Sequence, residues 1–453
     1  MNHSQSRCNF SEPPLINSRR PPEELVSKIG KLPAHLLNGY NLFGPAYRYN
    51  SVDNGCTVVL SGAQAVQFLS TEGIDFWNEG QWRRGQNQAY GADKTLVSTD
   101  GAEHQCLRNL QTRGYSRSLV DKNSEALLRV VRSSIEELKI GDLIGIREFL
   151  LPIAAHQLGI SILDYSSTDH VTDLAVFLEN VVRVTLSKQL PASILELPES
   201  RRAKDRVMQL ADDIVRQHRA PTKADAGGVL VKDLILAFER DHLFSEGDLR
   251  AAVLGPFIAG LDQVVNTCAF ALYSLLAHPK ILDRVRSESD LTFSESATEN
   301  HSINAQSMRS VVLETLRLYP VAPALQGTTV REFEFAEYLI KADQPIIIGS
   351  TVAHFLPEFY SDPFTFDIER HRPPRNEPEN PYAFAAFGVG KHRCLAAGFA
   401  QDLIAKTLAG ILHFGDFEIE PVDYVLVIGG TPAPIPTGLR LRFVGRRNTS
   451  NQD

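Results

Sequence analysis

The chain has 453 residues, a formal net charge of −8, 43% hydrophobic and 22% charged residues, the balance of an ordinary globular protein and not of a disordered, collagenous or coiled-coil one. A mildly acidic chain without a long basic run has little to attract nucleic acid or an anionic membrane face. The five cysteines, Cys8, Cys56, Cys106, Cys268 and Cys394, are odd in number, scattered and never spaced as CxxC, which argues against a disulfide framework or a zinc knuckle and fits a reducing cytoplasm.

Residues 1–20, MNHSQSRCNFSEPPLINSRR, lack the apolar core of a signal peptide or N-terminal anchor and read as a polar, disordered tail, with 446–453 as a second tail. Residues 21–445 hold no useful linker, so one large domain is expected although an average of about 150 residues per domain suggests three. Tyr47 to Gly62 reads as a hairpin turned by Asp53, Asn54 and Gly55. From Glu103 to Leu282 apolar positions recur at helical spacing, as in SEALLRVVRSSIEELKIG, where Gly141 takes the helix C-cap. Ala251 to Ala277 carries one formal charge, Asp262, and is long enough to span a bilayer. Gln263, Asn266, Thr267 and Ser274 accompany it, and lipid penalises such groups, so a buried central helix is expected and no membrane span. A helix over 305–319 ends before Pro320, and the alternation in FEFAEYLIKADQPIIIGSTVAHF predicts a second small sheet. After a loop from His371 to Ala386, Cys394 opens a helix through about Ile411, and YVLVIGG with LRLRFVG closes the chain as a hairpin.

The segment richest in chemistry is Phe387-Gly388-Val389-Gly390-Lys391-His392-Arg393-Cys394-Leu395-Ala396, a glycine-containing loop that delivers one cysteine to a helix start. Backbone N–H groups there, with Lys391 and Arg393 nearby, favour thiolate over thiol, and the glycines let the backbone approach a large flat ligand. A thiolate bound to haem iron is the natural occupant, with amide hydrogen bonds to sulfur tuning the iron potential. A buried packing cysteine is the alternative reading.

This segment resembles the cysteine loop of the cytochrome P-450 superfamily, FxxGxxxCxG, with Phe387, Gly390 and Cys394 in register and Ala396 replacing the last glycine. The likeness is to soluble, bacterial-like members. It continues in Glu314-Thr315-Leu316-Arg317, similar to the family's ExxR pair, and in Arg370, similar to the third member of its Glu-Arg-Arg cluster. Spaced i, i+3 on a helix, Glu314 and Arg317 face the same way, and bidentate arginine pairing is expected to lock that helix to the Cys394 loop. His104 and Arg108, i and i+4 on one helix face, can point at one anionic group; the resemblance implies a haem propionate, with His392 helping from the cysteine loop. The stretch Ala259-Gly260-Leu261-Asp262 resembles the distal helix, which implies proton delivery through Asp262.

Two positions depart from the pattern. Gln263 stands where the family usually has a threonine that steadies oxygen and relays protons, and Gln326 stands where it usually has a propionate-binding arginine. An amide donates a hydrogen bond to either group, but it relays protons poorly and carries no charge. Thr267, four residues beyond Gln263 on the same face, or a water is the candidate substitute.

From about Tyr40 to Phe443 the resemblance implies a mainly α fold with small β-sheets, the triangular haem-thiolate monooxygenase fold, holding haem b (iron protoporphyrin IX) through the Cys394 thiolate. It implies a cytoplasmic enzyme of secondary metabolism that inserts one atom of O₂ into an apolar small molecule. It further implies that no reductase is fused and that electrons come from a ferredoxin or flavodoxin with its reductase. Lys391, His392 and Arg393 form either a dock for that acidic partner or a solvated basic turn. The implied pocket walls are Trp77 to Tyr90, Phe257 to Gly260, Val321 to Leu325 and Ile428 to Thr431, mostly apolar and suited to a fatty acid, terpenoid or polyketide. Gln263 keeps a second class open: a peroxide-using or isomerising haem-thiolate enzyme, or a non-catalytic haem or ligand-binding protein.

Overall fold

The computed structural model describes residues 11–16, 20–51, 55–220, 227–293, 306–430 and 433–447. In chain order the helices are α1 (Glu23–Ile29), α2 (Lys31–Phe43), α3 (Gly62–Ser70), α4 (Gly80–Tyr90), α5 (Gly101–Gln111), α6 (Ser118–Lys122), α7 (Ser124–Glu136) and α8 (Ile146–Leu158). They continue as α9 (Val171–Val181), α10 (Pro198–Arg219), α11 (Val229–Asp241), α12 (Glu246–Val253), α13 (Gly255–Ala277), α14 (Pro279–Thr292), α15 (Gln306–Leu318) and α16 (Ala397–Phe414). The expected class, mainly α with small β-sheets, is the observed one. The chain divides into two compact units, where the sequence predicts one domain over 21–445. The first comprises Met1–Trp82, Pro323–Phe364 and Pro378–Arg393, and the second Arg83–Ala322, Thr365–Glu377 and Cys394–Asp453.

The first unit is built on a six-stranded sheet of β1 (Leu15–Ile16), β2 (Ala46–Ser51), β3 (Gly55–Ser61), β4 (Trp77–Asn78), β6 (Leu325–Thr329) and β9 (Pro345–Gly349), in the order β1-β2-β3-β9-β6-β4. β2 and β3 pair antiparallel as the predicted hairpin, Ser51 opposite Gly55, while Asp53 and Asn54 of its turn lie outside the described residues. β1 pairs parallel with β2, and Arg48 Nε donates to the Pro13 carbonyl at 2.7 Å. Leu15 and Ile16 therefore form a strand of this sheet, within the stretch expected to be a disordered tail. The predicted second sheet is divided: β7 (Phe333–Phe335) and β8 (Tyr338–Ile340) pair with each other, but β9 joins the first sheet, parallel to β3 and antiparallel to β6. Val58, Leu60, Leu69, Trp77, Phe333, Ile346, Ile348 and Val389 form the buried core beneath.

The second unit is helical, with α13 packed on α8, α14, α15 and α16. Pro256 sits in the first turn of α13, where a missing N–H costs nothing, and Pro279 begins α14 just beyond the end of α13. Most of α13 is buried, including Leu261, Val264, Val265, Thr267 and Phe270, as expected of a central helix. Two stretches, Ile146–Leu163 and Glu246–Ala277, are long and apolar enough to cross a membrane, and both are largely buried within the protein.

Two boundaries in the second unit differ from expectation. α7 ends at Glu136, and Arg446 Nη2 donates to the carbonyls of Glu136 and Leu138, 2.7 Å each, capping the helix end. Gly141 is thus a turn residue (φ 91°) whose N–H bonds the Phe443 carbonyl, not a helix cap. The predicted closing hairpin does not form as paired. β13 (Arg440–Arg446) lies between β10 (Gly415–Glu420) and β5 (Leu143–Gly145), while β11 (Ile428–Gly429) pairs with β12 (Ile435–Pro436).

Candidate active site

The cysteine loop of the first unit is built on residues 383–393. Ala383 accepts from the Tyr360 hydroxyl (3.3 Å), Ala385 N–H donates to His354 Nε2 (3.1 Å), and Gly388 N–H donates to the Ala385 carbonyl (3.1 Å). His354 is fully buried and stacked on Phe384, and sequence reasoning missed it because it lies some thirty residues from the loop. Gly388 and Gly390 take φ of 75° and 68°, a region that strains other residues. A Cβ on Gly390 would approach the Leu69 carbonyl to 3.3 Å and the Trp77 ring to 3.5 Å. Phe387 and His392 are half-buried. Gln326 is half-buried in β6 opposite Ile347, and its neighbour Leu325 lies 3.6 Å from a Cβ built on Gly388. Lys391 pairs with Asp75, so the basic turn is partly neutralised.

Cys394 begins the last segment of the second unit. It is exposed, and it precedes α16 by three residues, so it does not open the helix as the sequence suggests. The Tyr115 phenol is held above its usual range, chiefly by burial and further by the neighbouring Cys394 sulfur. Its hydroxyl also lies 3.4 Å from a Cβ built on Gly255, at the start of α13. Within α13, otherwise mostly buried, Ile258, Ala259, Gly260, Asp262 and Gln263 are accessible, whereas Phe257 is buried. The strand pair β11–β12, part of the expected pocket wall, packs on this helix through β12; Thr431 lies outside the described residues. His104 and Arg108 lie one turn apart on α5, His104 buried and Arg108 half-buried.

Asp262 forms an ion pair of 2.9 Å with Arg147 of α8, the two side chains 34% and 30% exposed. Thr267 is buried, and its hydroxyl donates to the Gln263 carbonyl at 2.7 Å, one turn back in the same helix. Its proton is thereby committed to the helix backbone, which weakens it as the substitute donor.

The structure brings Glu314, Arg317 and Arg370 together, at 0%, 0% and 1% exposure. Arg317 donates bidentately to Glu314 (2.8 and 2.9 Å), and Arg370 Nε donates to the same carboxylate at 3.0 Å. His371 Nε2 contacts Glu314 at 2.9 Å, the Asp367 N–H donates to it at 3.0 Å, and Arg370 reaches Glu377 at 2.7 Å. Burial alone would raise the Glu314 carboxyl, but the bonds and charges of Arg317 and His371 outweigh it and hold the group at about 2. These contacts fasten α15 to Thr365–Glu377, which precedes the cysteine loop in the chain.

These features suit a thiolate-bound haem. The cysteine is accessible, the loop before it has glycines in conformations other residues avoid, and the buried helix α13 opens where Gly260 leaves space. Gly260 has only Leu158 near a built Cβ, at 3.6 Å.

Comparison with known proteins agrees. Cyclooctat-9-en-7-ol 5-monooxygenase of Streptomyces melanosporofaciens is 25% identical over 333 residues, 70% of each chain. Salviol synthase of Salvia pomifera is 22% identical over 430 residues, 87% of this chain and 83% of the relative. Several curated relatives are matched over less than half their length, as is cytochrome P450 81F4 of Arabidopsis thaliana, 25% identical over 46% of this chain and 43% of the relative. Among solved structures, the cytochrome P450DA heme domain shares the fold with a TM-score of 0.79 at 18% identity, covering 97% of this chain and 98% of that one. A retinoic acid bound cyanobacterial CYP120A1 superposes with the same TM-score and identity over 96% and 99%. The family described as Cytochrome P450 matches residues 175–427, more than half of the sequence, so the chain belongs to the cytochrome P450 family, whose cofactor is protoporphyrin IX haem bound through a cysteine thiolate.

Proposed function

We propose that the protein is a soluble, cytoplasmic monooxygenase that inserts one atom of O₂ into an apolar small molecule, with electrons delivered by a separate ferredoxin or flavodoxin and its reductase. The observation that carries this reading is the accessible Cys394 thiol beside Tyr115, in a family loop, on the unit whose central helix opens at Ile258–Gln263. Bound haem supplies the reductive activation of O₂, one oxygen atom going to substrate and the other to water at the expense of two electrons.

In this reading the Cys394 thiolate would hold the haem iron. His104 and Arg108 hold a propionate by charge-assisted hydrogen bonds, His392 of the cysteine loop is a further candidate for that role, and Gln326 offers only a neutral amide. Gln263 donates its amide hydrogen to the oxygen-binding position, and Asp262 carries protons at its carboxylate. Ala259 and Gly260 leave room for substrate. A relative named for cyclooctat-9-en-7-ol supports an apolar substrate, with terpenoids the first class to screen, ahead of fatty acids and polyketides.

Replacing Cys394 by Ala or His should abolish the red-shifted absorption of the reduced carbon monoxide complex; survival of that band in either variant overturns the ligand assignment. Turnover with O₂ and surrogate redox partners, compared with peroxide alone, tests the reaction. Product formed only with peroxide favours the peroxide-using alternative that Gln263 keeps open.

A further inference from the structure

A cavity of about 440 Å³ lies along α4, lined by Arg84, Asn87, Gln88, Gly91, Ala92 and Asp93. The first four stand at i, i+3, i+4 and i+7, so one helical face forms one wall. Tyr90 projects from another face of the same helix, buried with its ring edge on Phe177 of α9 (centroids 6.0 Å), so the cavity is not the inner wall expected of α4 in substrate binding.

The opposite wall is fixed by the fold. Gly91, in the left-handed region (φ 68°), ends the helix, with its N–H on the Gln88 carbonyl (3.1 Å) and that of Ala92 on the Asn87 carbonyl (3.0 Å). Asn87, 6% exposed, donates Nδ2 to the Asp93 carbonyl at 2.8 Å. The N–H groups of Asp93 and Lys94 both donate to Asp248 Oδ1, 2.8 Å each, and Asp248 is itself buried in the capping box that opens α12. Gly247 lies so close that a Cβ there would collide with the Gly91 carbonyl. The cavity thus has its shape before any ligand arrives, and little ordering remains to be done on binding.

This cavity offers charge of both signs. Arg84 and Asp93 are exposed, and among the described residues neither side chain is in an ion pair, whereas Lys94 is engaged by Glu103 at 2.9 Å. An anion drawn to Arg84 meets the Asp93 carboxylate, and a cation drawn to Asp93 meets the guanidinium. A molecule carrying both charges satisfies the two together, and the Gln88 amide can donate to it or accept from it.

We propose that this cavity binds a small zwitterion of the amino-acid type, its carboxylate on Arg84 and its ammonium on Asp93. The site uses neither Cys394 nor α13 and is independent of the reaction proposed above.

The test is calorimetric titration of the haem-loaded full chain with glycine, β-alanine and γ-aminobutyrate, which differ in the spacing of their charges, and with butyrate and butylamine, which carry one charge each. At least one zwitterion should bind with Kd of about 1 mM, and each singly charged probe about tenfold more weakly or worse. Arg84→Gln and Asp93→Asn should each weaken the zwitterion about tenfold. Both positions are exposed, so urea resistance should not change. The selectivity should also move in opposite senses: Arg84→Gln erases the preference over butylamine, and Asp93→Asn the preference over butyrate. No saturation by any zwitterion up to about 10 mM, equal binding of a singly charged probe, or unchanged affinity in either variant overturns the proposal.

Discussion

Arg147 and Asp262 join α8 to α13 through an ion pair of 2.9 Å in which each side chain keeps about a third of its surface in solvent. A pair so exposed contributes roughly 1 kcal/mol or less to stability, so its consequence is positional. It holds the one carboxylate of α13 toward α8, close to the accessible stretch of the helix.

Arg147→Met should leave urea unfolding within about 1 kcal/mol of wild type while lowering turnover, and Arg147→Lys should restore part of it. Asp262→Asn, which removes the ionisable group, should lower turnover about a hundredfold. Equal turnover in Asp262→Asn and wild type, under saturating substrate and electron supply, would remove Asp262 from the proton route.

The Glu314 cluster predicts an acid limit for folding. A carboxyl held at about 2 in the folded chain stabilises the fold above the ordinary carboxylate range, and that contribution is lost as pH falls from there toward 2. Glu314→Gln leaves Arg317 and Arg370 buried beside a neutral amide and should cost about 3–5 kcal/mol at neutral pH. The variant should also show a shallower dependence of urea midpoint on pH between about 4.5 and 2 than wild type. An unchanged pH dependence would mean that other carboxylates set the limit.

Gln263→Thr should raise product formed per electron consumed, because a hydroxyl both donates and accepts where the amide hydrogen only donates. Thr267→Val should leave that ratio nearly unchanged, since the hydroxyl proton it removes is already given to the Gln263 carbonyl. Peroxide released per NAD(P)H oxidised reads both variants. A large loss of coupling in Thr267→Val would restore Thr267 as a relay member, and a loss in Gln263→Thr would make glutamine a specialised device.

Gln326→Arg should slow haem transfer to an acceptor protein, because a charge-assisted bond to a propionate is about twice as strong as a neutral one. Unchanged or faster loss would mean that His104, Arg108 and His392 already satisfy the carboxylates.

The parts legible in sequence were those carried by local spacing. Glu314 and Arg317 are one helical turn apart, and their pairing follows from that alone. His371, Asp367 and Glu377 complete the same cluster from more than fifty residues away in the chain, where no periodicity points to them. The alternating valines around Tyr424 resemble a strand, yet Val422, Val425 and Val427 are 88%, 78% and 55% exposed, and β13 takes the less apolar GDFEIE of β10 as its partner. Alternation marks residues able to form a strand; the choice of partner is made by tertiary packing. Arg147 escaped notice for the same reason, since it approaches Asp262 from a separate helix.

The parallel pairing of β3 with β9, Val58 opposite Ile346, has a consequence for synthesis on the ribosome. β3 emerges with β2 on one side and its other edge open, and the strand that closes that edge is translated about 290 residues later. At 5–20 residues per second the nascent chain carries this open edge for roughly 15–60 s, with Val58, Val59 and Leu60 in a row along it. An unpaired apolar edge is a template for intermolecular pairing. Heterologous production should therefore gain more from slowed initiation or added chaperone than from any change to the finished fold.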